Sequence, residues 1–404
     1  MKYPEVVVGL ISGIIVLYEL GKQSLFSAIY TSAVFSMLAA TIIIVYLDRK
    51  IKWDQYTPTV TVTVPTYNEE TYISDTVEAL LSQDYPKNRM KIIVFNDSST
   101  DGTSKALERY QDRITILNSD HNMGKRKSIA TIVRDHLNTK VMVLIDSDTM
   151  LDKNAVSHLV APLKDEKIGA STGSVKVRNK NTNLLTRFQD VWYYSGFRFI
   201  RGFESHFRTV TCCSGIIAAY KSKLLKERIS EFEYATFMGR PYLFGDDRDL
   251  TNLVLKDHDT VFVSDAVAYT IVPDKLSKFL KQQTRWKKGW IIGTRNVLKF
   301  MYRKNPIFSL YLHTQIILNI ITPLVLLNLF FYSPIFKGAF PIYYIAGLVV
   351  VGLLYGLDQL IMTKSENWFL RPFAGLLFLP VLGLLIPFAV LSLLLIPKQK
   401  WGTR

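Results

Sequence analysis

Four small groups of residues in this chain have the types and spacing to do chemistry. The first is Asp146-Ser147-Asp148, directly behind the apolar run 141–145 (VMVLI). Two carboxylates two residues apart, where a chain leaves a buried strand, can share a hard divalent ion with a diphosphate, because such ions take oxygen ligands. Surface loops also produce a D-x-D; the strand in front of this one sets it apart. The second is Asp97, which follows 91–95 (KIIVF). Its carboxylate suits the base or ribose edge of a nucleotide, or it caps the turn-rich stretch 97–102 (DSSTDG). The third is Gly245-Asp246-Asp247-Arg248, ahead of the apolar helical run 250–255. A helix cap accounts for one aspartate, not for two followed by an arginine. Displacement of a diphosphate by a hydroxyl with inversion needs one base near the attacking oxygen and cationic help for the leaving group. Asp247 is the candidate base, with Asp246 and Arg248 beside it. The fourth is Gln282-Gln283-Thr284-Arg285-Trp286, in the basic amphipathic stretch 276–300. Arg285 offers a planar fork to phosphate oxygens and Trp286 a face for a sugar ring. The same stretch reads as an interfacial helix anchored by its tryptophan, and both readings can hold.

These groups need a frame that brings them together. Residues 60–64 (VTVTV), 91–95 and 141–145 have strand composition, and helical spacing runs through 72–83 and 125–137. Apolar strands alternating with helices predict an α/β domain with a mostly parallel sheet. Ligands of open sheets bind beyond the carboxyl ends of the strands, where the sequence puts Tyr67-Asn68-Glu69, Asp97, Asp146 and Asp148. The first strand is expected to stop at Pro65.

Composition sets the surroundings. The 404-residue chain has a mean hydropathy of +0.15 although 21% of its residues are charged. The apolar residues gather in stretches at 6–20, 24–47, 307–332, 340–362 and 369–396, each near the roughly 20 residues that span a bilayer. Lys2 before an apolar run resembles a signal peptide, but no small-residue cleavage site follows and a second span comes at once, so an uncleaved hairpin is expected. The formal charge of +15 does not point to nucleic acid. Its basic residues flank the spans (Arg49, Lys50, Lys52, Lys287, Lys288, Arg303, Lys304, Lys398, Lys400), as the positive-inside rule and attraction to lipid headgroups require. The region 49–305 is therefore expected in the cytoplasm. The two cysteines, Cys212 and Cys213, are adjacent and imply no disulfide framework.

Nine stretches occur in an order that resembles the processive family-2 glycosyltransferases, nearest to hyaluronan synthases and further from chitooligosaccharide and cellulose synthases. They are 65–69 (PTYNE), 122–125 (NMGK), 146–149 (DSDT), 177–187 (VRNKNTNLLTR), 213–215 (CSG), 245–252 (GDDRDLTN), 272–275 (VPDK), 282–286 (QQTRW) and 401–404 (WGTR). The resemblance implies a GT-A-like domain inserted between transmembrane helices. It assigns Tyr67, Glu69 and Asp97 to the nucleotide, with Lys125 approaching it, and gives Mg²⁺ or Mn²⁺ to Asp148 supported by Asp146. It makes Asp247 the general base, sets Cys213, Trp286, Gln282 and Gln283 around the acceptor sugar, and aims Arg285 at the leaving group. Trp401 to Arg404 would close over bound nucleotide, or would anchor at the membrane interface. Partners so implied are UDP-GlcNAc and UDP-GlcA, the nascent polysaccharide and membrane lipids. Ile216-Ile217 after Ser214-Gly215, the Cys212-Cys213 doublet and Lys127 depart from the hyaluronan-synthase pattern, and they leave the polymer's identity open.

The expected organisation is a transmembrane hairpin at 1–48, a cytosolic glycosyltransferase domain at 49–274, an interfacial helix at 275–305, spans at 306–396 and a terminal segment at 397–404. A cytosolic C-terminus requires an even number of crossings after residue 305, yet three apolar stretches follow. Pro380 and Pro387 interrupt helical bonding, so 369–396 is expected to bend back. Four functions fit: a polymerase of two alternating sugars that exports its product, a polymerase of GlcNAc alone, a single-transfer enzyme acting on a lipid carrier, and a silent membrane scaffold. QQTRW argues against single transfer, and joint retention of Asp148, Asp247 and Arg285 argues against the scaffold.

Overall fold

A computed structural model describes residues 25–47, 51–338 and 340–395. The first apolar stretch and the segment 397–404, with Trp401 and Arg404, lie outside the described residues.

The chain enters through helix α1 (Leu25–Leu47) and then builds an eight-stranded sheet in the order β3-β2-β1-β4-β7-β6-β10-β5. Strands β1 (Val60–Thr66), β2 (Met90–Asn96), β3 (Thr115–Asn118) and β4 (Val141–Leu144) are mutually parallel. Strand β5 (Met150–Leu151) runs antiparallel to β10 (Asp259–Thr270), which pairs in parallel with β6 (Ile168–Val177). Strand β7 (Ala218–Lys221) is inserted antiparallel between β4 and β6. The sheet is therefore mostly parallel, as expected from strands covered on both faces. Val141, Val143 and Ile145 join one apolar cluster and Met142 and Leu144 the other, which is the period-2 consequence of a pleated strand.

β1 does not stop at Pro65. It continues to Thr66 along β2, while its pairing with β4 ends at Thr63 opposite Leu144. The Thr63 carbonyl accepts from Ile145 N–H at 3.0 Å, so Pro65, two residues on, faces the same side beyond the end of β4, where no ladder partner needs its missing N–H. The order reverses at β1: β2 and β3 lie on one side, β4 on the other. That switch point opens the crevice in which ligands of such sheets bind.

Helices α2 (Ile73–Leu81) and α3 (Lys125–Thr131) lead away from this edge. They are followed by α4 (Leu184–Ser195), α5 (Ser222–Glu233) and α6 (Asp246–Leu255). Asn183 caps α4 by accepting the Thr186 N–H at 3.0 Å, and Thr186 Oγ1 returns a bond from the Asn183 N–H, a reciprocal box that fixes the helix start.

The amphipathic stretch forms α7 (Leu276–Lys304), 29 residues long. It docks on α6 through glycines. A Cβ on Gly289 would stand 2.9 Å from Gly245 Cα, and one on Gly293 would meet Arg248 Cδ at 3.0 Å. Gly245 itself has φ +78°, which a side chain would strain. The absence of side chains at these positions is what lets the helix bearing QQTRW lie against the GDDR turn.

Beyond α7 come α8 (Pro306–Leu327), α9 (Ile342–Thr363) and α10 (Arg371–Leu395). Among the described residues, three helices are long and apolar enough to cross a membrane: Ile29–Leu47, Pro306–Lys337 and Tyr344–Thr363. α9 carries a charge, Asp358, only 3% exposed. Its carboxylate accepts from the hydroxyls of Tyr46 and Tyr194 and stands 3.5 Å from Arg198 Nε. Asp190 on α4 takes bonds from Gln359, Ser365 and Asn367. Each element thus offers a carboxylate to the other's donors, which satisfies both buried acids. The bend expected at 369–396 is absent: α10 is one uninterrupted helix of 25 residues. A proline removes one helical bond locally, and an apolar sequence that otherwise satisfies its backbone internally loses less by continuing than by unwinding.

Replacing Gly289 by alanine separates two influences. Helix propensity alone favours alanine by about 1 kcal/mol, whereas the contact with Gly245 predicts overpacking of about 1–3 kcal/mol. Thermal unfolding of the solubilised protein should show Gly289→Ala destabilised, with sugar transfer reduced; a raised melting temperature would contradict the docking.

Candidate active site

The carboxyl edge of β1, β2 and β4 collects the first group. Asp97 is buried, its N–H donating to Thr66 O at 2.9 Å. Its Oδ1 accepts from Met123 N–H at 2.8 Å and Ser119 Oγ at 3.1 Å, and its Oδ2 from Gly124 N–H at 2.7 Å. Much of this carboxylate's bonding capacity therefore holds the loop 119–124 in place, a role beyond the turn cap or nucleotide contact that the sequence suggests. Tyr67, half-buried, follows β1, and Asn68 takes φ +54°. The Glu69 carbonyl accepts from Tyr72 and Ile73 N–H at 3.0 Å each, and its own N–H bonds Thr103 Oγ1 at 2.8 Å. Glu69 thus fixes the entry to α2 from the same edge.

Behind β4, Asp146 is partly exposed and Asp148 only 3% exposed. Thr76 Oγ1 donates to Ser147 O at 2.8 Å, pinning the turn between them to α2. Thr149 and Thr270 hydroxyls stand 3.4 and 3.5 Å from Asp148 Oδ1. Lys125 Nζ bonds Asp146 Oδ1. Burial opposes the charge on Lys125, but Asp146 first, then Asp246 and Asp247, raise its pKa above the ordinary value. The ammonium thus contacts the D-x-D and feels the charge of the GDD turn.

A divalent ion fits this donor set. Asp146 and Asp148 supply hard oxygens, and among the described residues no group of three or more metal-ligating side chains converges anywhere. An ion here would complete its shell with oxygens of a bound diphosphate or water. Gly215 keeps the space beside it open: a Cβ there would lie 3.3 Å from Lys125 Nζ and 3.5 Å from Asp146 Oδ1.

The base turn stands opposite. Gly245 adopts the left-handed conformation, and α6 opens with Asp246, Asp247 and Asp249 in its first turn, where unpaired N–H groups favour negative charge. The three carboxylates have different surroundings. Asp246 and Asp249 are buried and meet the Arg126 guanidinium at 2.9 and 2.6 Å; Asp249 also accepts from Tyr242 OH at 2.7 Å. Burial, outweighing Arg126, raises the Asp249 pKa. Asp247 is partly exposed, with Oδ1 accepting Arg248 N–H at 2.9 Å and Oδ2 accepting the Cys212 thiol at 3.3 Å. Of the three, Asp247 alone is not buried.

One expectation about the acceptor side is corrected. Cys213 does not border the cleft. Its side chain has no exposure and packs with Ile129, Tyr220 and Leu250; the thiol against Asp247 belongs to Cys212. Gln283 is 6% exposed and lies on the buried stripe of α7 with Phe279 and Gly289. Trp286, three residues on, is a neighbour on the same helix face, but it is exposed where Gln283 is not. Trp286 is 39% exposed, its ring centroid 6.1 Å from that of Tyr193. Gln282 and Arg285 are half-buried, and Gln282 Oε1 is sealed from solvent with no hydrogen-bond partner among the described residues. Lys287 has its pKa pushed down to about 8 by burial and then by Arg248.

A model described as "Glycosyltransferase like family 2" matches residues 58–289, the sheet and both candidate carboxylate groups. The chain belongs to glycosyltransferase family 2. This glycosyltransferase is 29% identical to hyaluronan synthase of Streptococcus pyogenes over 391 residues, covering 93% of the chain and 91% of that relative. It is 34% identical to an N-acetylglucosaminyltransferase of Azorhizobium caulinodans over 249 residues, 60% of the chain and 62% of the relative. Among solved structures, a mannosyltransferase from Pyrobaculum calidifontis in complex with GDP-Man and Mn²⁺ superposes with TM-score 0.61 at 21% identity, over 93% of this chain and all of that one. The fold is GT-A-like.

Arg126, Cys212 and Tyr242 contact the carboxylates of the candidate site and escaped the sequence reading. Arg126 sits in a basic run (KRK) that looks like a solvated helix face, and its partners lie 120 and 123 residues away in sequence. A cysteine beside another gave no sign of which faced inward.

Burial, and then Asp247, push the Cys212 thiol up to about 12, and burial raises Cys213 further. Both are therefore neutral at pH 8, and maleimide should label neither in the folded protein and both after denaturation, as read by mass spectrometry. Since these folded values lie above the ordinary 9.0, the stability the thiols contribute is full below pH 9 and is lost as pH rises from there towards 12. Thermal melts across that range should show the decline, and Cys212→Ala with Cys213→Ala should lessen it.

Proposed function

We propose that this protein is a processive, inverting β-glycosyltransferase that polymerises UDP-sugars on the cytoplasmic face of the plasma membrane and exports the product as an extracellular polysaccharide. The carrying observation is the start of α3, where Lys125 bonds Asp146 and the next residue, Arg126, meets Asp246 and Asp249; it supports a donor-side carboxylate pair and a base at Asp247 around one cleft.

In this reading Tyr67, Glu69 and Asp97 hold the nucleotide edge, directly or through the loop that Asp97 orders. Asp148 and Asp146 would hold Mg²⁺ or Mn²⁺, which when bound neutralises the diphosphate; the Mn²⁺ in the Pyrobaculum mannosyltransferase complex supports a divalent ion. Asp247 accepts the proton of the acceptor hydroxyl as that oxygen attacks the anomeric carbon. The bond from that carbon to the diphosphate oxygen breaks on the opposite face, and the electron pair leaves with UDP. Arg285, Arg248 and Lys125 offset the charge that develops on it. Cys212 orients the base. Trp286, backed by Tyr193, offers a stacking face to the acceptor sugar, with Gln282 beside it on α7. Trp401 and Arg404 close over bound nucleotide. The basic residues flanking the spans support cytoplasmic orientation and contact with anionic lipid.

The donors are UDP-GlcNAc and UDP-GlcA, supported by the match to hyaluronan synthase along nearly the whole chain. A second reading, a chitin-like polymerase using UDP-GlcNAc alone, is favoured by the Cys212-Cys213 doublet, by Ile216-Ile217, and by the 34% identity to an N-acetylglucosaminyltransferase.

Purified protein incubated with Mg²⁺ or Mn²⁺ and labelled UDP-GlcNAc, with and without UDP-GlcA, separates them. Polymer that needs both donors supports hyaluronan; polymer from UDP-GlcNAc alone supports the second reading; no incorporation from either sinks both. Asp247→Asn should lower transfer by about 10²–10⁴-fold with UDP affinity by calorimetry unchanged. Asp148→Ala should weaken metal-dependent UDP binding itself.

A further inference from the structure

Arg126 is the most heavily engaged side chain at the cleft that the catalytic reading leaves without a task. It is 3% exposed. Its Nη2 meets Asp246 Oδ1 at 2.9 Å and Asp249 Oδ2 at 2.6 Å, and its Nη1 donates to Phe232 O at 2.7 Å. The guanidinium carbon lies 4.6 Å from the Phe232 ring centroid and 4.8 Å from that of Tyr242. Only a planar fork can serve two carboxylates and a carbonyl at once while lying between two rings.

Its neighbours in sequence face the donor. Gly124, with φ +86°, bonds Asp97 through its N–H, and Lys125 bonds Asp146. Three consecutive residues at the start of α3 therefore hold, in turn, the nucleotide-edge aspartate, the D-x-D, and the turn that carries the base. Asp247 lies between the two residues that Arg126 grips, so the seat of α3 sets where Asp247 can point.

We propose that Arg126 is a positioning residue that couples occupancy of the donor edge to the placement of the base. The proposal rests on the reading of Asp247 as that base. A nucleotide that settles against Asp97, Lys125 and Asp146 fixes the start of α3, and Arg126 transmits the constraint to residues 245–249. Ordering one side and then the other in this way is a coupling free energy between two sites, and it acts in both directions.

The test compares wild type with Arg126→Lys, which keeps the charge and loses the fork, using UDP with Mn²⁺ as the probe. In wild type, UDP-Mn²⁺ should slow amide hydrogen exchange both at 119–126 and at 245–252. In Arg126→Lys the protection at 119–126 should remain and that at 245–252 should vanish. The calorimetric Kd for UDP should stay within about 3-fold, while kcat per UDP-binding molecule falls about 10²-fold, the scale of an ångström-sized misplacement. A purely structural arginine would lower the melting temperature and the binding-competent fraction together, and would leave kcat per competent molecule and the exchange pattern as in wild type; that result overturns the proposal. Absence of protection at 245–252 in wild type overturns it as well. Should Arg126→Lys fail to bind UDP at all, Asp249→Asn and Tyr242→Phe loosen the same grip from the other side, and unchanged protection at 245–252 in both overturns it. Asp247→Asn serves as the control: full activity there refutes the choice of base, while the exchange pattern still decides on the coupling.

Discussion

Carboxylates gathered at the end of a sheet repel one another and lose hydration, and the whole cleft depends on how that charge is balanced. Asp146 and Asp148 stand on one side; Asp246, Asp247 and Asp249 stand on the other. Two adjacent cations at the start of α3 meet them, Lys125 turned to Asp146 and Arg126 to Asp246 and Asp249. An unpaired buried carboxylate would take up a proton rather than remain charged, and both metal binding and base catalysis need the ionised form. Among the described residues the arrangement leaves Asp247 without a cationic partner in direct contact, held by a backbone N–H and by a weakly donating thiol.

The same economy governs how the amphipathic helix reaches the cleft. Its arginine, tryptophan and glutamines are useful only if α7 lies against α6, and two helices with ordinary side chains pack about 8–10 Å apart. Gly245, Gly289 and Gly293 remove the side chains that would enforce that distance. The apolar helices are tied on separately, by the exchange of Asp358 and Asp190 between α9 and α4. Since α4 also carries Tyr193 against Trp286, the tie that holds the apolar helices also steadies that aromatic pair.

Much of this was legible in the order of residues. The strands announced themselves by β-branched runs, the carboxylates by their position after those runs, and α7 by its basic amphipathic pattern. Those features are local, and local sequence determines them. The bend expected from Pro380 and Pro387 was read from a real local rule, but the helix continued because its apolar setting favours internal hydrogen bonding. The strand expected to end at Pro65 ran on because the neighbour on that side had already ended.

Sequence by itself determined the chemistry available: hard oxygen ligands, a pair of candidate bases, cations for a leaving group and an aromatic face, all on an α/β frame beside apolar helices. Only the tertiary structure decided between neighbours. Asp246 and Asp247 are adjacent, as are Cys212 and Cys213, and within each pair one side chain meets the core and the other the cleft. Which one does so depends on partners far away in sequence, Arg126 for Asp246 and Thr251 for the Cys213 N–H. No local pattern encodes that choice, because it is made by packing across the fold.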